Sequence, residues 1–565
     1  MGLMHPAYRY LAGAKSVAIF AALSLALGMA SPGAYAGGFP SVLESELEAM
    51  TPQAPRPHVQ AQRDDEDIRA MQAFYEDRNY APLWLHRDFV NREARLLLDQ
   101  LREADSEGLD PHAYAVERIA ALIEAEPQTP AALVQLEVLL TGELLRYARD
   151  LRQGRMSPAA VYSDSALDQP PFAARSVLRD AADATNFRVF LRQLTPGNAM
   201  YHRLRRALIE YRVIAEAGGW PTPPESSILL GYGTHDPAVA QLREYLWATG
   251  DLSIRQNESH VFDTGLALAL ERYQRRHGLA ADGVYGQATR RQMATPVEER
   301  IRQIQLNMER WRWMPDEMGD RHVLVNLAGF EVEVVEHGST ALRMRAVVGR
   351  PYRKTPVFSD KISYLEFNPT WTVPPGIMRN DLIPNVRANP DYLEENNFHL
   401  YSGWEEDDER LDPHEVDWDS LDLDRIPYRF VQQPGPENAL GRVKFMFPNK
   451  HYVYLHDTPE QRLFGETERA FSSGCIRVEK PMELAEYLLG DRPDWDRDKI
   501  DSTLDDGELT RVRLPKRIPV HLTYSTAWVG EGGTVHFRSD IYERDSRLEQ
   551  ALGNAEMLHR AAVWN

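Results

Sequence analysis

The spacing of apolar residues divides the chain into a helical N-terminal half and a strand-rich C-terminal half. From about residue 64 to residue 217, apolar side chains recur at the three- and four-residue intervals of amphipathic helices. From about Arg321 the period changes to two, as in the alternating residues Val323, Val325 and Leu327. The pattern predicts a multidomain α+β fold, with a helical scaffold domain at 64–235 and a β-rich domain at 321–525.

A smaller unit, residues 236–296, lies between these two halves. Two predicted helices each carry one apolar face, formed by Val239, Leu242, Tyr245 and Leu246 and by Leu266, Ala269, Leu270 and Tyr273. Gly278 fits a helix C-cap, Asp282-Gly283 predicts a tight turn, and a third short helix starts near Thr289. We expect a three-helix domain, followed by a linking helix of the scaffold at 297–320. Strands and a helix are expected at 526–565.

The stretch between Pro375 and Val443 lacks a clear period and is too long for an ordinary loop. We interpret about 376–443 as a capping segment inserted in the β-rich domain. Eleven Asp and Glu residues lie between Glu405 and Asp424. A calcium loop is one interpretation, because oxygen ligands suit that ion, but the central glycine and terminal glutamate of an EF-hand are missing. We therefore predict a solvated surface and no metal site.

The N-terminus has the pattern of a secretory signal at residues 1–36. Arg9 and Lys15 supply positive charge, an uncharged apolar stretch follows, and Ala34-Tyr35-Ala36 has the small-x-small pattern of a cleavage site. The apolar stretch is short for a membrane span, and an uncleaved signal anchor is the alternative. Residues 37–63 are rich in Pro, Gln, Glu and Arg and predict a flexible tether. This interpretation places the mature protein in the periplasm.

The charge balance excludes some classes of partner. The formal net charge is −20, whereas a protein that binds nucleic acid needs a basic surface. The same acidity disfavours binding to anionic membrane surfaces. Hydrophobic residues make up 43% of the chain, which is enough for ordinary globular cores.

Cys475 is the single cysteine of the chain, so it cannot form an intrachain disulfide. His456 precedes it by nineteen residues, and an imidazole in contact with a thiol can accept its proton. The resulting thiolate–imidazolium pair would be a stronger nucleophile than the thiol. Gly474 allows a sharp bend and leaves backbone N–H groups free to face a developing oxyanion. The alternative is a buried, inert cysteine.

Two motifs resemble those of known families. The YkuD-type L,D-transpeptidases have a histidine followed, after a gap, by a Gly-Cys-apolar-Arg run, and this chain resembles them at His456 and at residues 472–478. Their large scaffold-bearing Gram-negative subfamily shares the Ser-Ser-Gly-Cys sequence and the order of domains. Residues 236–296 resemble the peptidoglycan-binding domain type 1, with its aromatic-Gln-x-x-x-Gly-Leu run before Asp-Gly-x-x-Gly.

The resemblance implies a peptidoglycan L,D-transpeptidase of cell wall biogenesis and remodelling, a cysteine-dependent acyltransferase without a cofactor. Its catalytic domain would be the β-rich domain at 321–525. Cys475 would be the nucleophile, and His456 the general base and later the general acid. A tetrapeptide stem would be the donor, forming a thioester at its third residue, and the side-chain amine of diaminopimelate on another stem would be the acceptor. The product would be a 3→3 cross-link, and carbapenems would acylate the thiol.

Further residues are predicted around this pair. Ser473 stands where most members of the family have a second histidine, so it cannot act as a second base and would position the loop. Arg477 would lower the thiol pKa or bind a substrate carboxylate, with a structural salt bridge as the alternative. Asp457 is a candidate third member, although a backbone carbonyl usually orients the histidine in the family. Aromatic residues that would line the donor groove, unless they belong to the core, are Trp371, Tyr454, Phe445 and Phe447.

The sequence leaves other functions open. Water as the acceptor would give an L,D-carboxypeptidase, and a D-amino acid would give exchange at the same site. The helical half and residues 236–296 also fit a non-catalytic wall-binding scaffold protein. A cysteine peptidase that cuts proteins is a third alternative, which the wall-binding module disfavours.

Overall fold

The structure is a computed structural model that describes residues 38–50, 59–86, 89–127, 129–167, 169–226, 228–255, 259–405 and 407–563. The predicted signal at 1–36 lies outside the described residues. The N-terminal part is a bundle of helices, α1 (Phe39–Ala49), α2 (Val59–Asp77), α3 (Arg92–Arg102), α4 (Val116–Glu124), α5 (Pro130–Gln153), α6 (Pro158–Val161), α7 (Ala174–Asp183), α8 (Phe187–Gln193) and α9 (Ala199–Glu216). A short antiparallel ribbon joins β1 (Leu85–His86) to β2 (Phe89–Val90).

Helix α5 forms the centre of the scaffold bundle. It is buried around most of its surface, as the crowding of leucines between Leu136 and Leu145 predicts. Buried Glu137 accepts hydrogen bonds from the Tyr75 hydroxyl at 2.7 Å and from the Trp84 backbone N–H at 3.1 Å. These bonds satisfy a carboxylate that would otherwise be costly to bury. Burial raises the pKa of Glu137 to about 7.

The prediction of a flexible tether at 37–63 is wrong for residues 39–50. Helix α1 packs on α5 through Leu43 and Leu47, which are 0% and 2% exposed. The Gln72 side-chain amide donates to the backbone carbonyls of Leu47 and Met50 at 2.6 and 3.1 Å. The two leucines are one helical turn apart, and the polar composition around them concealed this narrow apolar stripe.

The middle unit consists of α10 (Ala238–Ala248), α11 (Thr264–Arg276) and α12 (Gln287–Met293). Gln274 fixes the turn between the last two helices. Its amide nitrogen donates to the Asp282 carboxylate at 2.8 Å, and its oxygen accepts the Gly283 N–H at 2.9 Å. Gly278 and Gly283 have φ values of +68° and +67°, which explains the glycines of the motif. Helix α13 (Val297–Arg312) follows and packs against α9.

The β-rich domain is built on one large sheet that closes on itself. Its strands are β3 (Arg321–Asn326), β4 (Glu331–Glu336), β5 (Ser339–Gly349), β6 (Phe358–Phe367), β11 (Val443–Met446), β12 (Leu455–His456), β13 (Ala470–Ser472), β14 (Ile476–Val478) and β15 (Thr510–Thr523). In the described chain their order is β13-β5-β14-β12-β11-β6-β15-β3-β4, and β4 also pairs with β5. Helices α17 (Pro481–Leu489) and α18 (Arg497–Asp505) contribute buried leucines and Ile500 to the core inside this sheet.

The capping segment has secondary structure and a hydrophobic core of its own. A small sheet has the order β7-β10-β8-β9, formed by β7 (Trp371–Thr372), β8 (Phe398–Tyr401), β9 (Arg410–Leu411) and β10 (Arg429–Gln432). Its helical parts are α14 (Pro375–Ile377), a π-helical turn (Met378–Leu382), α15 (Ile383–Ala388) and α16 (Tyr392–Glu395). Its buried core includes Met378, Ile383, Phe398, Trp418 and Phe430. The region that appeared irregular in sequence is therefore a small folded layer of short elements.

The acidic stretch of the cap lies on its surface. Of its described carboxylates between Glu405 and Asp424, all except that of Asp408 belong to exposed residues. Within the described ranges, no group of three or more His, Cys, Asp or Glu side chains is arranged to hold a metal ion.

The C-terminal segment ties the scaffold to the β-rich domain. It consists of β16 (Ala527–Val529), β17 (Val535–Phe537) and α19 (Arg544–Val563). The Tyr162 hydroxyl of the scaffold donates to the Arg544 carbonyl at 2.8 Å, and the Arg544 guanidinium pairs with Asp164 at 2.7 Å. Among the helices that the structure describes, none has the length and apolar character needed to cross a bilayer.

Replacing Leu43 by alanine tests whether α1 is an integral part of the scaffold. Because Leu43 is fully buried, we expect Leu43→Ala to lower the free energy of unfolding of the scaffold by about 2–5 kcal/mol. Urea unfolding followed by circular dichroism measures this change. Ser45→Ala, at an exposed position of the same helix, is the control. Equal stability of the two variants would restore the tether interpretation.

Candidate active site

Pairing between two short strands brings His456 and Cys475 together. Strands β12 and β14 run parallel, with Leu455 beside Ile476 and His456 beside Arg477. Leu455 and Ile476 are fully buried in the core of the sheet. Because side chains alternate along a strand, His456 and Cys475 project from the opposite face, diagonal to each other. His456 and Cys475, nineteen residues apart in the sequence, therefore lie at neighbouring positions on one face of the sheet.

The loop before Cys475 is held in a conformation that needs glycine. Gly474 has a φ of +124°, in the region that disfavours side chains. The Ser472 hydroxyl accepts the Gly474 N–H at 3.1 Å and donates to the Cys475 carbonyl at 2.6 Å. The Thr355 hydroxyl donates to the Gly474 carbonyl at 2.8 Å. The nucleophile loop, residues 472–475, is therefore fixed from both sides.

These bonds change the expected oxyanion donor. The Gly474 N–H is already bonded to Ser472, so it is not free to face an oxyanion as the sequence suggested. The Cys475 N–H lies outside the strand ladder and has no bonded acceptor in the described chain. It is the donor closest to the thiol that remains available for developing negative charge.

Cys475 is half-buried. Its sulfur contacts the Tyr452 backbone carbonyl at 3.8 Å. Burial raises the pKa of Cys475, opposed by hydrogen bonds from Tyr454 and by the positive charges of Lys444 and Arg477. The thiol is therefore protonated at neutral pH in this conformation.

The imidazole of His456 is buried and neutral. Its Nδ1 lies 2.5 Å from the backbone carbonyl of Asp457, so Nδ1–H donates to this oxygen and the lone pair resides on Nε2. Burial, followed by the charge of Arg477, lowers the pKa of His456 to about 3. Hydrogen bonds to the backbones of Asp457 and, more weakly, Leu440 act in the opposite direction. The histidine is thus held as a neutral acceptor of protons.

The resting pair is therefore a neutral thiol and a neutral imidazole, and not the ion pair expected from the sequence. Both shifts have the same cause, since burial disfavours the charged form of each group. In this conformation the thiol donates to the Tyr452 carbonyl at 3.8 Å, so transfer of its proton to the imidazole requires the S–H bond to turn away from that carbonyl. The hydrogen bond between a nucleophile and its base is often long in the free enzyme and shortens when substrate is bound.

The side chain of Asp457 is not part of the site surface. Its carboxylate accepts the backbone N–H groups of Arg442 at 2.8 Å and Thr458 at 2.7 Å. The residue is only 7% exposed, so contact with substrate is excluded in this conformation. What Asp457 supplies to the site is its backbone carbonyl, which orients His456.

Arg477 and Ser473 occupy the rim of the site. The Arg477 guanidinium forms an ion pair with Glu460, and its Nε is buried without a partner. The structural salt bridge that the sequence left open is thus present, and its charge lowers the pKa values of both Cys475 and His456. Ser473 is exposed, and its hydroxyl accepts a hydrogen bond of 2.8 Å from Arg353.

Tyr454 and Trp371 line the side of the site that faces the cap. The Cys475 thiol and the Trp371 side chain both act on the pKa of the Tyr454 hydroxyl, which is raised chiefly by burial. The Tyr454 ring packs edge-on against that of His456, with 5.7 Å between centroids. The Lys444 ammonium lies 4.3 Å from the centre of the Tyr454 ring and 3.6 Å from Glu366. Tyr454 and Trp371 are both half-buried, and their contact with the donor stays a prediction.

Phe445 and Phe447 do not line the groove. Both are 0% exposed and belong to the core of the sheet. Phe445 pairs in register with Leu455, which places it on the face opposite Cys475. The strand alternation that orients Lys444 towards the site turns Phe445 away from it.

Several residues that hold the site are distant in sequence and were not predicted. Thr355 binds the nucleophile loop, and the Tyr542 hydroxyl accepts the Thr355 N–H at 3.4 Å and donates to the Gly349 carbonyl at 2.5 Å. Arg353 binds Ser473. Ser472, which holds the same loop from nearby in the sequence, did carry a local signal, since a serine two residues before a bend commonly bonds to the backbone.

Comparison with known families agrees with this architecture. Residues 320–513 match the model described as “L,D-transpeptidase catalytic domain”, of the YkuD family. Residues 69–208 match “Scaffold domain”, and residues 235–293 match “Putative peptidoglycan binding domain”. The multidomain α+β prediction is confirmed by these matches and by the large sheet.

A relative and a solved structure were also found. A protein of Haemophilus influenzae named “Putative L,D-transpeptidase” is 35% identical over 267 residues, which are 47% of this chain and 53% of that protein. The chain thus spans about half the length of this curated relative. A crystal structure of the L,D-transpeptidase of Xylanimonas cellulosilytica is 15% identical, and the match covers 53% of this chain and 100% of that chain, with a TM-score of 0.18. The chain therefore contains a YkuD-family L,D-transpeptidase catalytic domain, joined to a scaffold domain and a peptidoglycan-binding domain.

Proposed function

We propose that this protein forms 3→3 cross-links in peptidoglycan through a thioester on Cys475. The observation that supports this most directly is that half-buried Cys475 and the oriented, neutral imidazole of His456 share one face of the sheet. The family match supplies the reaction class, and the residues of this chain supply the chemistry.

The first half of the reaction removes the terminal residue of a tetrapeptide stem. The Cys475 sulfur attacks the carbonyl carbon of residue three while its proton passes to Nε2 of His456. The Cys475 N–H donates to the oxyanion that develops. When the intermediate collapses, the imidazolium returns the proton to the leaving amine. D-alanine departs, and residue three remains bound to sulfur as a thioester.

The second half of the reaction uses an amine in place of water. The side-chain amine of diaminopimelate on another stem attacks the thioester carbonyl, and His456 accepts the proton that this amine loses. The C–S bond breaks, and the sulfur recovers a proton from the imidazolium. No nucleotide is consumed, because the thioester retains the acyl group in activated form.

The neutral resting pair is consistent with this sequence of proton transfers. A base with a low pKa is a weak proton acceptor, but one that is almost fully deprotonated at pH 7. It needs no prior loss of a proton before substrate binds. The neighbouring charges of Lys444 and Arg477 favour the thiolate when it forms.

The remaining domains favour an assignment at the cell wall. The match at 235–293 supports binding of the protein to peptidoglycan, and the predicted export signal at 1–36 supports a periplasmic location. Stem peptides are then the partners of the catalytic domain. Carbapenems, which acylate nucleophiles as the donor carbonyl does, are the expected covalent inhibitors.

Product analysis on purified disaccharide-tetrapeptides tests the reaction. We expect dimers joined through the third residue, together with released D-alanine, because the thioester is transferred to an amine. Mass spectrometry of the products measures this. Cys475→Ala should form no dimer, whereas a wall-binding scaffold protein without catalysis would behave the same with and without the thiol. Tripeptide monomers as the sole product would contradict transfer and indicate an L,D-carboxypeptidase.

The pH dependence of Cys475 alkylation tests the protonation state of the pair. Because burial raises the thiol pKa from its ordinary value of 9.0, the rate with iodoacetamide should increase about tenfold per unit between pH 6 and pH 8. Intact-mass spectrometry over time measures this rate. A rate that is constant from pH 5 to pH 8 would show a resting thiolate–imidazolium pair and refute the neutral one.

Carbapenem acylation tests the role of His456. Wild-type protein should gain one carbapenem mass on Cys475, and His456→Ala should slow this acylation by about 10²–10⁴-fold at pH 7, because the proton acceptor is lost. His337→Ala, at an exposed histidine of the same domain, is the control. Equal acylation rates in all three proteins would exclude His456 as the base.

A further inference from the structure

A guanidinium group lies between the nucleophile loop and the cap. Arg353 belongs to a tight turn after β5, in which its N–H donates to the Arg350 carbonyl at 2.8 Å. A side chain at Gly349 would lie 2.2 Å from the Arg353 carbonyl, so this turn is pressed closely on the strand. The backbone of Arg353 is thus fixed while its side chain extends towards the cap.

Two acceptors hold one corner of this guanidinium. Nη1 donates to Asp381 at 2.7 Å and to the Ser473 hydroxyl at 2.8 Å. Asp381 lies in the π-helical turn of the cap, whereas Ser473 is two residues before Cys475. In the described part of the chain, one other ion pair joins the cap to the rest of the protein, between Arg442 at the end of the segment and Asp505 at 3.8 Å.

The opposite edge of the guanidinium is unused. Nε and Nη2 of Arg353 donate to no group in the described residues, and neither is among the buried atoms that lack a partner. The side chain is 19% exposed. These two N–H groups form the fork that binds a carboxylate by two parallel hydrogen bonds. Because Nη1 is held by Asp381 and Ser473, the free Nε and Nη2 groups have a fixed orientation for binding a carboxylate.

The other cations near the thiol are less suited to this role. Arg477 is paired with Glu460, and its Nε is sealed from solvent. Lys444 lacks a planar fork and is held between Glu366 and the Tyr454 ring. The sequence had suggested Arg477 as the carboxylate ligand, and the structure favours Arg353 instead.

The Arg353 guanidinium lies beside the nucleophile loop. Ser473, to which it is bonded, is two residues before Cys475, and two residues span at most about 7 Å. A tetrapeptide donor has a carboxylate about one residue beyond the carbonyl that is attacked and another on the diaminopimelate side chain. We propose that Arg353 is a specificity-determining residue that binds a carboxylate of the donor stem, with Asp381 and Ser473 orienting it. This inference rests on the proposed function for the identity of its ligand.

Binding measurements in the Cys475→Ala protein test this proposal without turnover. Calorimetry would compare the tetrapeptide donor with two analogues, one amidated at its terminal carboxylate and one amidated at the diaminopimelate carboxylate. Arg353→Lys keeps the charge but loses the fork, so we expect tetrapeptide affinity to fall at least about tenfold. The analogue that lacks the recognised carboxylate should bind with nearly the same affinity to the parent protein and to the Arg353→Lys variant. This analogue therefore identifies the carboxylate that Arg353 binds.

Two further variants separate recognition from general damage to the cap. Asp381→Asn keeps an acceptor for Nη1 and removes a negative charge, so tetrapeptide affinity should be retained or increased. Arg343→Lys, at a partly exposed ion pair on β5, should leave all affinities unchanged. Equal losses for all three ligands in Arg353→Lys, unchanged affinity for all of them, or no binding of the tetrapeptide to the parent protein would overturn the proposal.

The Arg353 proposal and the cross-linking proposal can fail separately. If wild-type protein makes 3→3 dimers but Arg353→Lys shows no selective loss, this inference fails and the proposed function stands. If the selective loss is found but wild-type protein makes no dimers, Arg353 is a carboxylate ligand of a protein with a different reaction.

Discussion

The parallel pairing of β12 with β14 is the constraint on which the site depends. It sets Leu455 and Ile476 into the core and thereby forces His456 and Cys475 onto the other face. A shift of one residue in this register would bury the nucleophile and expose the core leucine. The register is thus secured by apolar burial, and the catalytic geometry follows from it.

Hydrogen bonds that involve the backbone fix the positions of the residues around this pair. Gly474 is bonded on both sides, by Ser472 at its N–H and by Thr355 at its carbonyl. His456 is held by the Asp457 carbonyl, while the Asp457 carboxylate closes the turn at Arg442. Burial then keeps both reacting groups neutral, which makes proton transfer part of the attack rather than a step before it.

The cap and the C-terminal segment approach the same loop from different directions. The cap is linked to it through Arg353, which bridges Asp381 and Ser473. The C-terminal segment reaches it through Tyr542 and Thr355. Tyr542 lies beyond residue 513, where the match to the catalytic domain ends, so elements outside that domain support its active site. Scaffold residues Tyr162 and Asp164 anchor the same segment at Arg544.

Local patterns in the sequence were sufficient for the domain classes, the three-helix unit and the candidate pair at His456 and Cys475, because periodicity and short motifs depend on neighbouring residues. They failed where a choice depended on distant parts of the chain. Composition hid the buried stripe of Leu43 and Leu47, and hydrophobicity alone could not tell that Phe445 faces the core while Tyr454 faces the site. Only the tertiary structure decided that the pair is neutral and that Arg353 meets Ser473, because burial and long-range contacts are properties of the packed chain.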